Sequence, residues 1–206
     1  MIPRWFKLAY LMFVAVLVPA YVLEYSWVNL LWFSNLALIG GLVAAWFESR
    51  RVASMMLVAV LLPEAVWIAD FLGSLLLSGT TPFGLVSYMY DAGIALFVRL
   101  LSLYHLLLPF VLLWLVWRLG YDPMAWRLWI PIGFSVLVLS FLFSSPERNV
   151  NFVWGTGGEP QSWMPPLAWL ALVLIGCGVI WWITHVLVAH SSRRWRRRMD
   201  DGAGPV

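Results

Sequence analysis

Six long apolar runs dominate this chain and leave few ways to fold it. They fall near Leu8–Glu24, Trp27–Glu48, Val52–Ser78, Ala92–Arg118, Trp126–Ser144 and Pro166–His190. A helix needs roughly 20 apolar residues to cross about 30 Å of hydrocarbon, and each run is of that order. The expectation is an all-α, polytopic transmembrane bundle of six spans forming one domain. The fourth run contains Arg99 and His105, yet it reads as one helix because Ile94–Trp117 is otherwise apolar. Composition agrees: 63% of residues are hydrophobic and 11% charged, against about 45–50% and about 25% in soluble domains. That balance excludes a water-soluble domain, a disordered chain and a fibrous repeat. Fifteen Trp suit the bilayer–water interface.

Lys and Arg counts orient the spans, because short cytoplasmic loops collect positive charge. With the N-terminus inside, Arg4, Lys7, Arg50, Arg51, Arg118, Arg127, Arg193, Arg194, Arg196, Arg197 and Arg198 are cytoplasmic, and Arg99 and Arg148 are not. Eleven against two predicts that both termini lie in the cytoplasm of a bacterial inner-membrane protein. Glu24, Asp70, Asp91, Glu147 and Glu159 lean to the outer side. Val18-Pro19-Ala20 resembles a signal-peptide cleavage site, but the apolar run continues through Tyr21-Val22-Leu23, so the first span is expected to be retained. The basic tail over 191–206 enforces this topology and attracts anionic lipid; it does not suggest nucleic acid.

The long outer connection Ser145–Pro165 mixes Pro146, Gly155, Gly157, Gly158 and Pro160 with Phe152, Trp154 and Trp163. Gly and Pro mark turns, and the aromatics predict a loop ordered over the outer helix ends. Asn149 and Asn151 there are candidate substrate-binding residues.

Ionisable and polar groups inside a span are costly and mark candidate sites. At about 1.5 Å per residue, Glu64 lies about 18 Å from the cytoplasmic end of its span, His105 and Asn35 about 20 Å, and Ser140 about 21 Å. Four polar side chains from four helices therefore share one mid-membrane layer. Pro63 and Pro109 cannot donate to the carbonyls four residues back. Ala59 and His105 should have freed carbonyls, with kinks nearby. Gly40-Gly41 permits close helix approach. Glu64 and His105 form the expected acid/base pair, Asn35 orients, and Ser140 is a candidate nucleophile if His105 reaches it. The rival reading is a hydrogen-bonded network that only joins helices.

Nearer the outside, Asp70 is, with Asn35, a further candidate substrate-binding residue, at an entrance to this layer. Asp91, eight residues before Arg99, and Asp70, across spans three and four, are both candidate partners of Arg99, and ordinary interfacial ion pairing is the alternative reading of this group. No metal or other cofactor is expected. His105 and His185 differ by about 12 Å in depth, which does not suit a shared haem. The single Cys excludes a disulfide framework and a Cys-based zinc site, and Cys177, between Gly176 and Gly178, reads as a packing residue.

The segment Asn149-Val-Asn-Phe-Val-Trp-Gly, followed by Pro160 and Met164-Pro-Pro-Leu-Ala-Trp, resembles YwaF-type bacterial membrane proteins. So does Tyr104-His105-Leu106-Leu107. The resemblance covers about a quarter of the chain. It implies six spans and a lipid-related role. The eukaryotic relatives are lipid acyltransferases thought to use a Cys close to this His. Leu107 occurs here instead and Cys177 lies in another span, so thiol acyl transfer is not carried over.

The leading expectation is an intramembrane enzyme acting on a lipid or another hydrophobic molecule. The alternatives are a small proton-coupled transporter and a non-catalytic accessory subunit of a larger membrane complex. Membrane lipids are the expected partners, with other membrane proteins in the accessory case.

Overall fold

Small residues concentrate where helices touch. Ala37, Ala44, Ala45, Ala53 and Ala59 are wholly buried, and a Cβ on Gly41 would stand 2.5 Å from the Tyr10 hydroxyl, while one on Gly40 would collide with Met56. Small residues let backbones approach closely, as Gly40-Gly41 predicts. The computed structural model of the chain describes residues 1–156 and 160–200, with 193–200 described by backbone alone.

The described residues are all-α, without strands. The helices are α1 (Arg4–Tyr25), α2 (Phe33–Phe47), α3 (Arg50–Leu76), α4 (Leu96–Leu101), α5 (Tyr104–Leu119), α6 (Ala125–Phe143) and α7 (Pro166–Asp200). Among the described residues five segments are long and apolar enough to cross a membrane: α1, α3, α4 with α5, α6, and α7 as far as Ser192. Half of the α3 window is buried, against 17–33% for the others, so α3 is the central helix. It packs against α2, α5, α6 and α7. The outward surface is apolar, with Trp5, Leu107, Phe110 and Leu167 each more than 60% exposed, as suits a membrane protein. α1 is integral to the core, since Leu17 and Tyr21 are buried in it and the Tyr10 hydroxyl donates to Leu38 O.

Two spans differ from expectation. The run Trp27–Glu48 is not one helix. It is a 3₁₀ turn (Trp27–Leu31), an extended Trp32, and the 15-residue α2, which is about 22 Å long. The break at Trp32 is filled by a side chain from another element, described below. The run Ala92–Arg118 is also divided. It begins only at Leu96 and breaks at Ser102–Leu103, where His105 N–H bonds Ser102 O and Leu106 N–H bonds Leu103 O. These are three-residue bonds of the tighter 3₁₀ kind. Pro109 lies beyond this break, inside the continuous α5, and takes the helical N–H donor away from His105 O. In α3 the helix continues through Pro63, and the freed Ala59 carbonyl accepts from Trp181 Nε1 at 3.2 Å. That bond ties α7 to the central helix.

One end of the bundle gathers basic loops. Lys7 Nζ lies 2.9 Å from Glu48 Oε1 and Arg51 Nε 3.1 Å from Asp122 Oδ2. The Lys7 ammonium and the Ile2 N–H hold the Glu48 carboxyl below its usual range. Burial opposes ionisation of Asp122, but the Met124 N–H and the Arg50 and Arg51 charges outweigh it, and its carboxyl is also held low.

Candidate functional site

α3 and α5 pack along one another, which sets Glu64 against His105. His105 Nδ1 lies 2.9 Å from Glu64 Oε2 and 3.1 Å from Oε1. The Glu64 side chain is only 4% exposed, and that of His105 is 12% exposed. Trp67 stacks on the imidazole at 4.6 Å and 21°, and Tyr104 stacks at 4.2 Å and 27°. Glu64 and Trp67 are three residues apart on a helix and so share a face. An ionised carboxylate only accepts, so Nδ1 is the donor, and in the neutral ring the free lone pair is on Nε2. Among the described residues nothing bonds Nε2. Chemically this is an oriented imidazole, fixed by a carboxylate and two aromatic walls, with one nitrogen available for proton transfer.

Asn35 reaches this pair through Tyr104. The Tyr104 hydroxyl donates to Asn35 Oδ1 at 2.8 Å, and Asn35 Nδ2 donates to Asn29 O at 2.8 Å. Beside them Tyr21 and Ser102 share a hydroxyl–hydroxyl bond of 2.6 Å at the break between α4 and α5.

Ser140 does not join His105. It is wholly buried in α6 and accepts from Asn151 Nδ2 at 3.0 Å. Depth fixes height in the bundle but not direction around a helix axis, so three of the four layer residues assemble and Ser140 faces elsewhere. Asn151 is the side chain in the α2 break. Its Oδ1 accepts the Phe33 N–H at 3.1 Å and its Nδ2 donates to Leu31 O at 2.8 Å. It sits at φ 56°, a left-handed conformation that Asn tolerates better than most residues. Asn149 organises the same loop, accepting the Trp154 N–H at 2.7 Å and donating to Gly155 O at 2.9 Å. Val150, Asn151 and Val153 are buried, Trp154 stacks on Phe141 at 4.3 Å, and Trp169 Nε1 donates to Phe152 O. The described part of the loop thus packs on the helix ends. Gly157, Gly158 and Glu159 lie outside the described residues, as do the side chains of Arg193 to Arg198.

Asp70 is not paired with Arg99. Its buried carboxylate accepts three backbone N–H groups, from Phe83 at 2.6 Å, Leu85 at 2.7 Å and Val86 at 3.1 Å. Backbone donors satisfy a buried carboxylate without a cation, and here they shape the connection after α3. Asp91 likewise turns to the Gly93 N–H, not to Arg99. At the basic end His185 stacks on Trp126 and its Nδ1 lies 2.8 Å from the Tyr121 hydroxyl. Cys177 is half-buried in α7.

Sequence reasoning missed Trp67 and Tyr104 as walls of the site. The signals were available in the three-residue spacing from Glu64 and the adjacency to His105. It also missed that Trp181 would occupy the carbonyl freed by Pro63. Comparison with protein-family models, curated proteins and solved structures finds no match to this chain.

Proposed function

We propose that Glu64 and His105 form an acid/base centre of an intramembrane enzyme acting on a lipid or another membrane-soluble molecule. The observation that carries this reading is the 2.9 Å contact between Glu64 and His105 Nδ1, with Nε2 left without a partner. His105 Nε2 takes a proton from the substrate group or returns one to it, and Glu64 stabilises the imidazolium that forms. Tyr104, Trp67 and Asn35 are positioning residues. Water or a substrate group is the nucleophile, since Ser140 is engaged by Asn151.

The same reading has six crossings of a bacterial inner membrane, with both termini cytoplasmic. In support, Lys7, Arg51 and Arg118 gather at the end of the bundle that holds Met1 and Glu48, and cytoplasmic loops collect such charge. α2 makes the second crossing, with the Trp27–Leu31 turn completing its outer end. Single-cysteine variants at Glu147 and Arg127, made with Cys177→Ser, should label from opposite sides of the membrane.

The functional test is lipid profiling of cells carrying wild type, His105→Ala or Glu64→Gln at equal membrane levels. Both variants should lose the same product while remaining inserted. Identical profiles across growth conditions would overturn the enzyme reading and favour an accessory subunit.

A further inference from the structure

Arg99 uses little of its hydrogen-bonding capacity within the chain. Its Nη1 donates to Met89 O at 3.1 Å, whereas a guanidinium carries five N–H donors. None of the ion pairs among the described residues includes it. Its Nε is buried without a partner, and so is the Tyr25 hydroxyl. Tyr25 packs on Tyr21 at 5.6 Å between ring centroids, and Tyr21 bonds Ser102, one helical turn from Arg99, so both groups belong to the same end of the α1 and α4 contact. Buried polar groups are normally hydrogen-bonded, so an unpaired guanidinium N–H and an unpaired hydroxyl at one end of the bundle suit an anionic acceptor, with the cation setting its charge.

Depth and shape narrow the anion. Arg99 precedes Arg118 by 118 − 99 = 19 residues, or about 29 Å along the span. That equals the hydrocarbon thickness and sets Arg99 at the phosphate level opposite the basic end. An apolar cleft of about 290 Å³ opens between α1 and α4–α5, starting at Leu100, Leu101 and Leu103 and reaching Phe6 and Val111. Leu100 to Val111 is about 16 Å of helix. On the α4 side the slot begins at Leu100 and Leu103, the next residue and the next turn after Arg99, so the cation adjoins its outer end.

We infer that α1 and α4–α5 bind a phospholipid, with its phosphate oxygens on Arg99 and Tyr25 and one acyl chain in the cleft. Arg and phosphate match in charge and geometry, and the Tyr25 hydroxyl adds a neutral donor. The site stands whether or not His105 turns a substrate over.

Native mass spectrometry of the full chain in detergent tests this, titrating phosphatidylglycerol, diacylglycerol and inorganic phosphate. Phosphatidylglycerol should bind, and diacylglycerol, which lacks the phosphate, should bind at least tenfold more weakly, as expected for losing charge-assisted bonds. Arg99→Gln should weaken phosphatidylglycerol by about tenfold or more, and Tyr25→Phe by several-fold. Leu103→Trp fills the cleft while keeping Arg99, and should weaken the lipid without altering any binding of inorganic phosphate. Equal binding of diacylglycerol would overturn the inference. So would wild-type affinity in a folded Arg99→Gln or Leu103→Trp, or inorganic phosphate competing as well as the lipid.

Discussion

Replacing Asn151 by Ala removes one side chain and strands groups on three other elements, the Trp27–Leu31 turn, α2 and α6. Its amide accepts the Phe33 N–H, donates to Leu31 O and donates to Ser140 Oγ. Asn151 is 6% exposed, so water replaces these partners poorly. A stranded buried donor or acceptor costs about 1–3 kcal/mol. With Phe33 N–H buried and Leu31 O partly so, a total of about 3 kcal/mol follows. Ala at φ 56° adds about 1 kcal/mol of left-handed strain. Asn151→Gly strands the same groups without that strain, so it should be about 1 kcal/mol milder than Ala. For a chain of this size 1 kcal/mol moves the melting midpoint by about 2–4 °C, and Asn151→Ala should fall by roughly 8–16 °C. The assay is intrinsic Trp fluorescence during heating in detergent, paired with limited proteolysis of the 145–165 loop, which should become faster. If both variants melt within about 1 °C of wild type, Asn151 does not hold the α2 break and the reasoning fails.

Trp181→Phe keeps ring packing but frees the Ala59 carbonyl again, and should cost about 1 kcal/mol in the same melt. Gly133→Ala drives a Cβ into the Trp181 ring and should cost about 1–3 kcal/mol by overpacking; a neutral result would show that α6 and α7 separate easily. The Asp122 and Glu48 carboxyls are held low in the fold, so their stabilisation is complete above their unfolded values of about 4. It is lost as pH falls through the depressed folded values. Asp122→Asn should lower the melting midpoint at pH 7 and flatten its decline between about pH 5 and pH 2, read from melts across that range.

The membrane class and the polar layer were legible in the sequence for a simple reason. Span length and helical rise are one-dimensional quantities, and residue number alone gives depth to within a few ångströms. Glu64, His105 and Asn35 were found on that basis, and Pro63 announced a free carbonyl at Ala59. Which way each side chain points around its axis depends on how neighbouring helices are rotated and packed. That decided Ser140, which turns to Asn151, and Asp70, which is satisfied by three N–H groups of the loop after its own helix. It also decided the fate of the run Trp27–Glu48. Nothing in those apolar residues predicts a break at Trp32, because the compensation comes from an amide about 120 positions away. A helix can be interrupted inside an apolar bundle only where another element meets its freed backbone groups, and only the tertiary structure brings that element there.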